Sequence, residues 1–230
     1  MINRSWVIVK SGTYINILTI LFICGGILFQ IALNAQDVKI GDQVWMSKNL
    51  DVETFRNGDL IKQANTIEEW RQLYNSKIPA WCYYNFDIAN GKTYGKLYNW
   101  FAVIDEKGIA PKGYHIPTED EWNILTNKLG GWRVAGLKLK SKKGWLDWSG
   151  RSKGNGNNSS KFSALPSGFL WLDDMGGGFK ELGNSAYLWS STPDSPYSTR
   201  IKNIFSFSDW IQENQYVNRN YGLAIRCVKD

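Results

Sequence analysis

Apolar positions in this chain fall into short clusters at alternating or helical spacing, separated by glycine, proline and polar breaks. Val38 and Ile40 alternate with polar neighbours, Val44 and Trp45 follow, and Gly41-Asp42 lies between them, which predicts an opening hairpin. Thr66-Ile67-Glu68-Glu69 carries the capping-box pattern, in which Thr accepts from the backbone N–H three residues on and the acid reaches back. A helix is therefore predicted from there through Trp70 and Leu73, closed before Pro79. Leu97, Trp100, Phe101 and Ile104 have helical spacing, and Gly108, Pro111 and Gly113 break the chain after them. The clearest helix start is Pro117-Thr118-Glu119-Asp120-Glu121-Trp122, where three acids complement the helix dipole. Trp122, Leu125 and Leu129 line one face of that helix, and Gly130-Gly131 stops it.

From residue 144 to 160 the pattern changes to Gly, Ser and Asn around Trp145 and Trp148, which predicts a long loop. The last third reads as strands: Leu188-Trp189, Ile201–Phe207 and Tyr221–Val228 are short segments between turns. In the last of them Leu223, Ile225 and Cys227 share one face and Ala224, Arg226 and Val228 the other. Helices early and strands late, with no repeat or linker, predict one α+β domain over residues 36–230.

The first 35 residues are different in kind. They hold Arg4 and Lys10 and no acid, then an apolar stretch from Ile17 to Phe29, then Leu33-Asn34-Ala35. This is the layout of a secretory signal peptide with cleavage after Ala35. The alternative is an uncleaved anchor, since Ile15–Leu33 approaches the length that spans a bilayer, but Asn16 and Gln30 interrupt it. Bulky Ile23 before Cys24 argues against a lipoprotein signal. No stable membrane span is expected after cleavage, and the protein is expected in the periplasm, on the outer surface or secreted.

Composition adds three constraints. The formal net charge of +6 falls to +4 when the two early cations leave, and no Lys/Arg run exists, so nucleic acid is not expected as a partner. The single histidine, His115, excludes sites built from several imidazoles, and Asp173-Asp174 alone do not assemble the oxygen ligands that calcium needs, so no metal or other cofactor is expected. Export leaves Cys82 and Cys227, and two cysteines in an exported chain read as one disulfide, the alternative being two buried thiols.

Longer motifs then become recognisable: Val38-Lys39-Ile40-Gly41-Asp42-Gln43-Val44-Trp45-Met46, Trp81-Cys82-Tyr83-Tyr84, Tyr94-Gly95-Lys96-Leu97-Tyr98-Asn99-Trp100, Pro111–Thr118 leading into Glu121-Trp122, Phe162–Gly168, Trp189-Ser190-Ser191-Thr192 and Gly222-Leu223-Ala224-Ile225-Arg226-Cys227. In this order they resemble the Fibrobacter succinogenes major paralogous domain family, exported bacterial proteins of poorly defined biochemistry. Ile116–Trp122 also resembles a motif of the formylglycine-generating enzyme superfamily. That resemblance implies a C-type-lectin-like fold, with two main helices packed on irregular mixed β-sheets with long loops. It does not imply the activity, because fold does not determine function. Those enzymes use a copper-binding cysteine pair, whereas Cys82 and Cys227 stand where the family pattern carries them, which fits a structural bridge.

Catalysis is not expected, because lone His115 precedes a helix cap and no nucleophile-elbow pattern surrounds any serine. Aromatic rings with polar neighbours suit a sugar ligand, since a ring packs on a pyranose face while polar groups bond its hydroxyls. Trp145, Trp148, Trp171, Asp173 and Asp174 are the candidate ligand-binding residues, with Tyr197 in another turn. Trp45, Trp100, Trp122 and Trp189 are read as core. The expected function is an exported, non-catalytic, carbohydrate-binding module. The alternatives are a structural or adhesive module that binds a surface protein, and an enzyme related to formylglycine-generating oxidases.

Overall fold

The computed structural model describes residues 37–148 and 153–230. The expected signal segment and its alternatives lie outside the described residues. The chain opens with the predicted hairpin, β1 (Asp37–Ile40) and β2 (Gln43–Met46), in antiparallel register from Asp37↔Met46 to Ile40↔Gln43. Gly41 turns it at φ 64°, a left-handed conformation that costs glycine least. After β3 (Lys62–Gln63), helix α1 (Ile67–Asn75) starts where predicted, with Thr66 accepting from Glu69 N. β4 (Ala80–Cys82), α2 (Ile88–Tyr94), β5 (Leu97–Tyr98), α3 (Trp100–Ile104) and β6 (Tyr114–His115) follow.

The helical spacing of Leu97 to Ile104 resolves into a strand and then a helix. Asn99 makes the break: its Oδ1 accepts from Ala102 N to cap α3 and from Ala80 N across to β4, both at 3.0 Å. The stretch before it is thereby left to pair with β4. Helix α4 (Glu119–Lys128) carries the complete Thr118/Glu121 capping box. Gly130 and Gly131, at φ 98° and 90°, turn the chain directly into α5 (Trp132–Leu139), a helix absent from the sequence expectation. The rest is β7 (Ser167–Asp173), β8 (Gly176–Leu182), β9 (Ser185–Pro193), β10 (Ser198–Phe205), β11 (Ile211–Asn218) and β12 (Val228–Lys229).

Three sheets form among the described residues: β1-β2-β12-β6, β3-β4-β5 and the large β11-β10-β9-β7-β8. The fold is therefore α+β, with few helices and several mixed sheets, as expected at that level. Besides the expected α1 and α4, and α3 within the stretch of helical spacing, it holds α2 and α5.

The core is two clusters, and the 223–228 segment runs between them. Leu223, Ile225 and Cys227 pack with Tyr98, Trp100, Trp189 and Ile201, while Ala224 and Val228 pack with Trp45, Trp122 and Leu188. The predicted alternation holds, but both of its faces are buried. Backbone bonds from Met46 N to Cys227 O and from Leu50 N to Ile225 O tie this segment to the hairpin region.

The disulfide expected between Cys82 and Cys227 is not formed: both are free, buried thiols. Cys82 lies in the cluster of Trp45, and Cys227 in the cluster of Trp100. β4 pairs Cys82 with Leu97, and Cys227 O accepts from Met46 N. Each thiol acts as a small apolar filler, and burial pushes both up, Cys227 to about 12. Native protein should react negligibly with a thiol reagent at neutral pH. After denaturation without reductant, residues 36–230 should yield both thiols; a bridge would yield none. No helix among the described residues is long and apolar enough to cross a membrane.

Candidate functional site

The sequence-predicted residues separate in space. Trp145 is 4% exposed and belongs to the core, which corrects its assignment as a ligand residue. Its Nε1 donates to Ser141 Oγ and to Ala164 O, both at 3.1 Å, and the Lys140 ammonium lies 5.6 Å from the ring. The indole pins the loop because it offers a large apolar face and one N–H that finds partners inside. Gly154 closes the same loop, since a Cβ there would lie 2.0 Å from Leu146 O.

Asp173 is spent on a turn. β7 and β8 form a tight hairpin from Ser167↔Leu182 to Asp173↔Gly176, and the Asp173 carboxylate accepts from Met175 N and Gly176 N at its tip. Asp174 is exposed beside it. Tyr197 is exposed in the connection from β9 to β10.

Trp148 is exposed and Trp171 half-buried, toward opposite ends of one aromatic file. Trp148 is 50% exposed and meets Phe207 at 5.4 Å. Phe207 stacks on Phe205 at 4.8 Å, Phe205 meets Tyr187 at 6.1 Å, and Tyr187 meets Phe169 at 4.5 Å. Trp171 stands two residues beyond Phe169 on β7, with Lys180 Nζ 4.2 Å over its ring. The file crosses the large sheet on the face opposite Leu170, Leu188 and Ile204, which bury against the core. Burial pushes the phenols of Tyr187 and Tyr221 up, and the nearby Asp173 charge adds to the shift at Tyr221.

A concave site lies elsewhere, and sequence reasoning missed its tryptophans. Trp132 and Trp210 line a cleft of about 310 Å³ with Ile211, Gln212, Glu213 and Gln215. Their rings meet at 5.6 Å and 81°, so one can serve as a floor and the other as a wall. Gly131 sets Trp132 at the first position of α5, and α5 docks on the turn before β11. That docking needs Gly136, where a Cβ would lie 2.2 Å from Trp210 O, and Leu137 N donates to Asp209 O at 3.1 Å. The register between β10 and β11 moves from Asn203↔Gln212 to Ile201↔Gln215, so β11 bulges beside the cleft. Bulges redirect the side chains of an edge strand. The legible signals were a tryptophan straight after a double-glycine stop and Ser208-Asp209-Trp210 in a strand connection.

His115 lines a second cleft, of about 290 Å³, with Arg56, Thr118 and Ser191. Its Nδ1 lies 2.8 Å from Asp230 Oδ1 and its Nε2 2.7 Å from Glu121 Oε1. Burial opposes the imidazolium, but bonds to Asp230 and Glu121 outweigh it and raise the pKa. Burial likewise opposes ionisation of Glu121, and bonds from Thr118 and His115 hold its carboxyl below the usual range. Both ring nitrogens are engaged, so neither is free to take a proton from Ser191 or Thr118. Among the described residues no group of three or more His, Cys, Asp and Glu side chains could hold a metal ion.

Residues 38–229 match the family described as Fibrobacter succinogenes major domain. No curated protein and no solved structure matches the chain.

Proposed function

The chain belongs to the Fibrobacter succinogenes major domain family, and on that premise we propose that it is an exported, non-catalytic module that binds carbohydrate. The Trp132–Trp210 cleft carries this reading. It joins two tryptophan rings at right angles to the amides of Gln212 and Gln215 and the carboxylate of Glu213. Sugar recognition needs that combination: an apolar ring face against C–H groups, and amide or carboxylate oxygens and nitrogens for hydroxyls. Function at the cell surface, in the periplasm or in secreted form follows from the signal-like first 35 residues. A C-type-lectin-like arrangement of the sheets and helices belongs to the same reading, supported by the Ile116–Trp122 motif. The engagement of His115 by two carboxylates supports the absence of catalysis.

The test is a glycan-array screen of the purified protein, with and without Ca²⁺, beside a Trp132→Ala/Trp210→Ala double variant and a Trp148→Ala variant. Wild type should bind at least one glycan, and the double variant should lose at least about 1.4 kcal/mol, or tenfold in affinity. Trp148→Ala should bind as wild type does. Equal binding by the double variant would remove the cleft from the function. A folded wild type that binds no glycan would favour the second reading, a protein partner on the flatter aromatic file, which Trp148 and Phe207 leave exposed.

A further inference from the structure

Lys202 is the innermost charged group of the large sheet, and the binding site does not use it. Its side chain on β10 has no solvent exposure. Helix α4 lies over it and presents two side chains one turn apart. Glu119 Oε1 is 2.5 Å from Lys202 Nζ, and Asn123 Oδ1 is 3.0 Å from the same nitrogen. Glu119 Oε2 is buried and has no hydrogen-bond partner among the described residues. The backbone N–H of Glu119 donates to Thr192 Oγ1 at 2.9 Å, which holds this end of α4 against β9. One amine thus touches both a carboxyl and a carboxamide, in a site where its own side chain is closed to water. A buried ion pair alone barely offsets its desolvation and does not require the amide.

We propose that Lys202 and Asn123 form an intramolecular isopeptide bond, with Glu119 as the proton carrier. The ammonium first gives a proton to Glu119 along their existing contact, leaving a neutral amine and a carboxylic acid. The amine lone pair attacks Asn123 Cγ, a new C–N bond forms, and the carbonyl π electrons move to Oδ1. Glu119 then protonates the amide nitrogen, and collapse breaks the old C–N bond and releases ammonia. The new amide nitrogen returns its surplus proton to the Glu119 carboxylate. The sum is ammonium, carboxylate and carboxamide giving secondary amide, carboxylic acid and ammonia, with no redox change. Asn123 is half-buried, so ammonia has a way out. The bond would join residues 79 apart in sequence and clamp α4 onto the large sheet.

The test is the denatured intact mass and the tryptic map of the purified wild-type protein. The main species is expected to be lighter than its sequence by one ammonia. If Gln36 becomes the N-terminus it can also cyclise with loss of ammonia, so the map must locate the change. Peptide 113–128 should be joined to peptide 201–219, with no cleavage after Lys202. Lys202→Arg and Glu119→Gln, each folded by circular dichroism, should yield linear peptides, and their boiled chains should run more slowly in a denaturing gel than wild type. Recovery from folded wild type of linear peptide 113–128, with cleavage after Lys202, would overturn the proposal and leave an ordinary buried ion pair. The same linkage in Glu119→Gln would remove Glu119 from the chemistry.

Discussion

Trp122→Ala is expected to lower folding stability by about 3–5 kcal/mol, the range for deleting a fully buried large aromatic. Trp122 has no exposed surface and meets Trp45 at 4.7 Å and Phe162 at 6.0 Å, while Trp45 meets Phe162 at 5.8 Å. These three rings join α4, the opening hairpin and the segment leading into β7, so no single element can collapse into the space left behind. A domain of ordinary stability has about 5–15 kcal/mol in total, so the variant should unfold at markedly lower denaturant concentration. Trp122→Phe sharpens the test. The Trp122 Nε1 is buried without a partner among the described residues, so the smaller ring also removes an unsatisfied donor. Its loss should stay below about 1.5 kcal/mol, as for other near-conservative core exchanges. Trp45→Phe should cost more, because Trp45 Nε1 donates to Gln43 Oε1 at 3.2 Å. Urea titrations of the three variants decide this, and a Trp122→Ala loss under about 1 kcal/mol would refute the account.

Arg226→Ala is expected to be at least as damaging. The guanidinium is fully buried and meets no carboxylate among the described residues. Its Nε and Nη2 donate to Asn49 Oδ1, and its Nη1 donates to Met46 O at 3.1 Å and to Phe162 O at 2.5 Å. The ring of Phe162 lies 4.3 Å beneath it. Burial pulls its pKa down to about 9, so at neutral pH it stays charged and is stabilised by these oxygens and the ring. Alanine would strand three buried acceptors, at about 1–3 kcal/mol each, and leave a cavity as well. Arg226→Lys keeps the charge but has one nitrogen in place of the planar fork, so it should lose less than alanine and more than about 1 kcal/mol. Chemical denaturation gives the ordering. Lysine matching wild type would show that charge alone suffices, and alanine matching wild type would show that the network contributes nothing.

What could be read from sequence follows from how far each interaction reaches. The Thr118/Glu121 capping box, the Thr66 cap and the Gly41 turn are complete within four residues, and each stands where its motif predicted. The break at Asn99 was not legible, because its second partner is Ala80, on another strand. The two faces of residues 223–228 were legible as an alternation; that both are covered depends on sheets contributed by distant parts of the chain.

Among the tryptophans the division is sharper. Residue type and spacing identify Trp145, Trp148 and Trp171 as aromatics in loop-like or turn-adjacent segments, and identify Trp132 and Trp210 as nothing in particular. Exposure is set by packing between elements that are far apart in sequence. Ala164 and Lys140 bury Trp145, whereas the docking of α5 on the strand connection at Asp209 sets Trp132 beside Trp210. The same holds for Cys82 and Cys227, whose count suggested a bridge and which the fold leaves as two free, buried thiols. By itself, then, the amino-acid order determined the α+β class, the caps, the turns and the family, because local hydrogen bonding and ordered motifs encode them. Only the tertiary structure decided which rings face solvent, which thiols stay free and which amine lies against which amide, because those depend on through-space distances that no local pattern carries.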